Sequence, residues 1–103
     1  VTLIKWSEEN GQVRLGLPGD LDLPMAQPLA DSLRAAAAAA PCVLVQADAV
    51  ERVSTACVQA LVVAARDLAE HGGIFAVLSP SEALTEACED LGLASWLKQW
   101  SQA

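Results

Sequence analysis

The sequence predicts an α/β fold: a mixed, partly parallel β-sheet of about four or five strands with crossover α-helices, in the order β-β-α-β-α-β-α. Three observations carry that prediction. Short apolar runs alternate with segments of helical period, which demands crossover connections and therefore parallel strands. An Asn-Gly pair joins the first two apolar-rich runs and marks a hairpin. Proline or glycine marks several of the changes of pattern, at Pro18-Gly19, Pro41, Gly72-Gly73, Pro80 and Gly92. The 103 residues suit one domain, read as spanning residues 1–103. A hydrophobic fraction of 53% with only 18% charged residues excludes a disordered chain.

Residues 1–6 and 12–17 are the predicted hairpin strands. The second alternates, with Val13, Leu15 and Leu17 set against Arg14 and Gly16. Asn10-Gly11 between them tolerates positive φ at both central turn positions. Pro18-Gly19-Asp20-Leu21-Asp22 then reads as a turn carrying two carboxylates.

A helix follows. Pro28 lacks an N–H and is tolerated only in a first turn, so the helix starts no earlier than about Met25. Leu29, Leu33, Ala36 and Ala40 recur at helical spacing and form its buried stripe. The alanine run has the highest helix propensity available, and Pro41 stops it.

Residues 42–47 make a short apolar strand, expected at the centre of the sheet, and a loop over residues 48–53 leads to the second helix. That helix runs from about Thr55 to His71 and ends at Gly72-Gly73. Val58, Leu61, Val62, Ala65, Leu68 and Ala69 make it apolar over most of three turns, the pattern of a largely buried helix. Residues 74–78 form another strand. Ser79-Pro80-Ser81-Glu82 reads as a capping box, with Ser79 at N-cap, Pro80 at N1 and Glu82 at N3. The third helix carries Leu84, Cys88 and Leu91 on one face and stops at Gly92, with Leu93 placed for a hydrophobic contact. Trp96, Leu97 and Trp100 form an apolar tail, and these tryptophans with Trp6 are expected to fill the ends of the core.

Charge narrows the function. Six Lys and Arg against 13 Asp and Glu give a net charge of −7, and the basic residues are scattered. A phosphate backbone needs a clustered basic surface, so nucleic acid is disfavoured, as is an anionic membrane surface. Apolar stretches fall short of membrane-spanning length and the N-terminus lacks a basic-then-apolar leader, so direct membrane insertion is not expected. Cys42, Cys57 and Cys88, odd in number and without C-x-x-C spacing, read as reduced thiols of a cytoplasmic protein.

Catalytic chemistry is poorly supplied. His71, the only histidine, falls in a last helical turn, where its charge complements the helix dipole. Neither it nor the cysteines have metal-ligand spacing, and no Gly-rich phosphate cradle is present, so no cofactor and no enzyme activity are expected. Cys57 falls in a first helical turn, where a thiolate is stabilised, but a buried, inert thiol is the better reading.

Two junctions stand out. Asp20 and Asp22 follow a strand, and Ser54-Thr55 opens the second helix. Parallel strands deliver their carboxyl ends to one edge, so both junctions belong on the same rim. Structural roles account for each: Ser54 as an N-cap accepting from Ala56 or Cys57, Thr55 as a first-turn residue, the aspartates as turn and helix-start residues.

Gly19-Asp20-Leu21-Asp22 before a helix and an apolar strand, then Val53-Ser54-Thr55-Ala56-Cys57-Val58-Gln59-Ala60-Leu61 opening a helix, resembles the STAS domain, the fold of bacterial anti-sigma-factor antagonists. Gly92-Leu93 matches the end of its third helix, and the resemblance covers residues 12–97. It implies that Thr55 is the phosphoacceptor and that Asp22 matches the acidic residue of the first turn. Ser54 stands where the family usually has Asp, and Ala56 and Cys57 replace its usual small residues, which makes Ser54 a second candidate acceptor. Partner contact would fall on Asp20, Asp22, Ser54, Thr55 and Gln59.

The function implied is a partner switch. The unmodified protein binds an anti-sigma factor, usually a serine/threonine protein kinase, and phosphorylation breaks that complex. The chain is also similar to the small STAS subunits of bacterial lipid-transport ABC complexes. That likeness implies instead a constitutive contact between Thr55 and an ABC transporter ATPase subunit, without a phosphorylation cycle.

Overall fold

Asn10 and Gly11, at φ of 55° and 79°, form the two-residue turn joining β1 (Lys5–Glu9) to β2 (Gln12–Gly16). Positive φ at both positions gives the turn a twist that matches the strands. The structure is a computed structural model describing residues 5–102; residues 1–4, where most of the first predicted strand falls, lie outside the described residues, as does the side chain of Trp6. The first strand extends to Glu9, because a two-residue turn requires its partner to run up to the turn itself.

The remaining elements follow in chain order. They are β3 (Asp20–Leu21), a 3₁₀ turn (Leu23–Met25), α1 (Ala26–Ala39), β4 (Cys42–Gln46), β5 (Arg52–Val53) and α2 (Thr55–Glu70). After them come β6 (Ile74–Leu78), α3 (Glu82–Asp90), α4 (Ala94–Trp100) and β7 (Ser101–Gln102). A five-stranded sheet has the order β1-β2-β4-β6-β7, antiparallel only between β1 and β2. β3 and β5 form a separate parallel pair.

Register aligns Val13, Val43 and Phe75 in one row and Leu15, Val45 and Val77 in the next, all buried. Each fully buried Val or Leu contributes about 1.5–3 kcal/mol. The parallel strands advance in one direction across the sheet, so right-handed crossovers put the helices on one face. The alternate residues point the other way: Gln12 and Arg14 are exposed, Leu44 is half-buried, and Ile74 is 59% exposed.

Leu29, Leu33, Ala36 and Ala40 are buried, as their spacing predicts, and Pro28 lies in the first turn of α1. Ala40 leaves the helix in an extended conformation, the one Pro41 imposes on its predecessor. Gly72 and Gly92, both at φ 75°, terminate α2 and α3. Behind them Gly73 N–H donates to the Leu68 carbonyl and Leu93 N–H to the Cys88 carbonyl, each at 2.7 Å.

Four expectations change. The predicted turn at residues 18–22 and the loop at 48–53 each contain a short strand, β3 and β5. The cap of the third helix is Ser81, whose Oγ accepts from Leu84 N–H at 3.1 Å. Ser79 cannot serve, because an N-cap is extended whereas Ser79 sits at φ 49°. The apolar tail is a helix plus an edge strand, and Trp100 packs edge-on against Phe75 with centroids 6.2 Å apart. Finally, α2 buries only one side: Cys57, Val58, Leu61, Ala65 and Leu68 are inside, whereas Val63 is 44% exposed.

Candidate functional site

The short parallel pair makes the site. Leu21, fully buried, anchors β3, and alternation leaves Asp20 and Asp22 exposed on either side of it. In register, Asp20 lies opposite Arg52 and Leu21 opposite Val53. Gly19 carbonyl accepts from Glu51 N–H at 2.7 Å and from Arg52 N–H at 3.0 Å, and Ser54 N–H donates to the Leu21 carbonyl at 2.7 Å. A Cβ on Gly19 would stand 3.3 Å from the Ala49 carbonyl oxygen, so the close approach favours glycine.

Two further bonds order the start of α2, and the second of them reaches the acidic loop. Ser54 is the N-cap, its Oγ accepting from Cys57 N–H at 3.3 Å. This is one of the two partners its sequence position suggests. Cys57, fully buried, donates its thiol to the Asp22 carbonyl at 3.4 Å. The thiol therefore acts as a buried strut between the junctions.

Above this scaffold the polar groups are displayed. Thr55 is the first residue of α2 and is exposed; Gln59, one turn on, is exposed too; Ser54 is half-buried. The structure thus brings Asp20, Asp22, Ser54, Thr55 and Gln59 to one rim. A helix N-terminus leaves its first N–H groups unpaired, which favours negative charge beside Thr55.

Sequence reasoning missed the apolar ground beside these groups. Thr55 and Gln59 share a groove of about 410 Å³ with Val62, Val63, Leu91 and Leu93. Val62 had the periodicity of a core residue, and Leu91 that of the buried face of the third helix. The available signal was the width of the apolar arc on α2, too broad for one buried stripe.

Other candidates take structural roles. His71 is the C-cap residue of α2, its Nδ1 2.7 Å from the Asp67 carbonyl oxygen. Burial pushes the Cys88 thiol above its ordinary pKa. Among the described residues no three His, Cys, Asp or Glu converge to hold a metal, and no helix is long and apolar enough to cross a membrane.

Comparison with known proteins agrees with this architecture. The family model described as "Mlab, STAS domain" matches residues 4–98. No curated protein matches the sequence. Among solved structures, the anti-sigma factor antagonist SpoIIAA in its unphosphorylated form superposes with a TM-score of 0.79 at 17% identity, over 96% of this chain and 85% of that one. A STAS domain protein from Planctomyces limnophilus gives 0.77 at 22% identity, over 95% and 86%. Phosphorylated SpoIIAA from Bacillus gives 0.76 at 17% identity, over 96% and 88%.

Proposed function

The chain belongs to the STAS domain family, and from that premise we propose a non-enzymatic docking module whose Thr55 face binds an anti-sigma factor. In this reading the partner is a serine/threonine protein kinase that releases the module by phosphorylating Thr55. One observation supports it most: Thr55 stands exposed on the wall of an apolar groove, at a helix start bonded to the loop that carries exposed Asp20 and Asp22, while the neighbouring Ser54 hydroxyl is engaged as a cap. Thr55 is therefore the better acceptor and Ser54 the structural residue.

The physics of release is local. A phosphate at the start of α2 gains from the helix dipole and the free N–H groups, so the domain keeps its fold. It also adds about two negative charges, beside Asp20 and Asp22 on a chain already at −7. At a docking surface that brings repulsion, desolvation and the loss of a hydroxyl donor. A change of about 3 kcal/mol corresponds to roughly 10²-fold in affinity, enough to switch partners. SpoIIAA, of the same fold, is known in both phosphorylated and unphosphorylated forms, which supports a switch without refolding.

A second reading rests on a specific observation. The matching family model is described as Mlab, and Ser54 replaces the usual Asp before the acceptor. Under it the same face is a constitutive contact for the ATPase subunit of a lipid-transport ABC complex. Purifying the tagged chain from its native cells and identifying the stoichiometric partner separates the two readings. The switch requires a kinase, and with ATP one phosphate that the double variant Thr55→Ala, Ser54→Ala does not accept. An ABC ATPase with no phosphate transfer establishes the second reading.

A further inference from the structure

Leu23 is 68% exposed, the most exposed large apolar side chain among the described residues. A single leucine on a surface is ordinary, because polar atoms are too few to cover a fold. This one is set apart by how firmly its backbone is held and by where it stands. It opens the 3₁₀ turn, and Pro24 beside it has φ fixed by its ring. The carbonyl before Leu23, that of Asp22, accepts from Met25 N–H at 3.0 Å and from the Cys57 thiol at 3.4 Å. Its own carbonyl accepts from Ala26 N–H. Two residues earlier the chain is anchored by fully buried Leu21. None of the three turn residues is buried, so these bonds hold in place an apolar group that the core does not use. A side chain on so constrained a backbone has little ordering entropy left to lose when a partner covers it.

Its place is the Thr55 rim. The thiol bond ties Asp22 to the first turn of α2, and the 3₁₀ turn packs against α2 itself. Leu23 therefore stands beside the start of α2, with exposed Asp22 as its chain neighbour. Asp22 is the N-cap of the turn, yet its side chain makes no capping bond. Among the described residues the ion pair is that of Arg34 with Asp31 on α1, so Asp22 takes part in none. An unengaged carboxylate next to an exposed leucine gives the rim an apolar knob with a negative neighbour. We propose that Leu23 is the apolar anchor of this face, seated on binding in an apolar socket of the protein partner that carries Lys or Arg at the lip nearest Asp22. A second copy would set acidic groups against that carboxylate, where like charges repel. The assignment rests on the docking role of the Thr55 face and adds a contact, outside the phosphoacceptor, that sets affinity.

The test is the calorimetric affinity of the co-purified native partner for the full chain and its variants. Leu23→Ala should weaken binding about tenfold or more, the worth of seating a leucine side chain. Leu23→Met, close in volume, should stay within about threefold of wild type. Neither change should move the thermal midpoint by more than about 4 °C, because the side chain is mostly outside the fold. Added salt should weaken wild type more steeply than Asp22→Asn, which has lost the charge that faces the basic lip. Binding undiminished by Leu23→Ala, equal losses in Leu23→Ala and Leu23→Met, or a larger fall in midpoint overturns the anchor. Equal salt dependence of wild type and Asp22→Asn overturns the basic lip. A wild-type dimer that Leu23→Ala dissociates also overturns the proposal, since the socket then belongs to a second copy. Leu23→Ala without effect, beside a Thr55→Glu that weakens binding, refutes the anchor alone and leaves the docking face. Leu23→Ala that weakens a partner indifferent to Thr55→Glu leaves the anchor and refutes the role of Thr55. Indifference to both refutes the docking role of the rim.

Discussion

Ser54 donates its backbone N–H to the carbonyl oxygen of Leu21 at 2.7 Å, and this bond, with that from the Cys57 thiol to the Asp22 carbonyl, carries the acidic loop to the start of α2. The residues are far apart in sequence and have no periodic relation. Their pairing turns two unremarkable turns into one surface.

Leu21 is the anchor of that pairing, fully buried among apolar side chains. Leu21→Ala should destabilise the fold by about 2–5 kcal/mol, the range for a buried leucine truncated to alanine. Urea unfolding checks this as a lower midpoint with an unchanged slope.

Ser54 caps α2 through its Oγ. Ser54→Ala should cost about 1 kcal/mol, whereas Ser54→Asp should match the wild type to within about 0.5 kcal/mol, since Asp caps equally well. Thermal unfolding of the two variants distinguishes the cap from a role confined to the partner.

Gly73 lies where backbone and side chain close in. A Cβ there would stand 2.7 Å from the Pro41 carbonyl oxygen and 2.9 Å from Leu68 Cδ2. Gly73→Ala should therefore cost about 1–3 kcal/mol, the usual range for overpacking. Gly11, with open space around the same position, is free of that clash but holds φ at 79°, so strain there has a different origin. Denaturant midpoints of Gly73→Ala against wild type check the clash.

Cys88 gives the pH dependence a definite sign. Burial raises its folded pKa above the ordinary thiol value of 9.0. Below that value both states hold the proton and nothing is lost. Above it the unfolded chain releases a proton that the folded chain keeps, so stability falls as pH rises, by at most about 1.4 kcal/mol per pH unit. Unfolding of wild type and Cys88→Ala across the alkaline range should show the steeper decline in wild type.

Much of the fold was legible because it rests on local chemistry. Asn10-Gly11 dictates its turn, Gly72 and Gly92 end helices by adopting positive φ, and Val13, Leu15 and Leu17 state the strand face. β3 and β5 were not legible, since two residues have no period and their pairing is set by distant carbonyls. Ser79 and Ser81 were confused because both are serines before a helix; only the backbone angle at Ser79 separates them. The polar half of the site followed from where strands end and helices begin. Its apolar half did not, because the exposure of Val63 and Leu91 depends on how α3 and α4 come to rest beside α2.

The docking role of the rim is tested most directly by the affinity of the purified native partner for wild type, Thr55→Ala and Thr55→Glu. Thr55→Ala should bind within about tenfold of wild type, having lost one hydroxyl contact, and Thr55→Glu should lose roughly 10²-fold through charge placed beside Asp20 and Asp22. Equal affinity for wild type and Thr55→Glu would contradict the assignment, because a face that docks a partner cannot ignore a new charge at its centre.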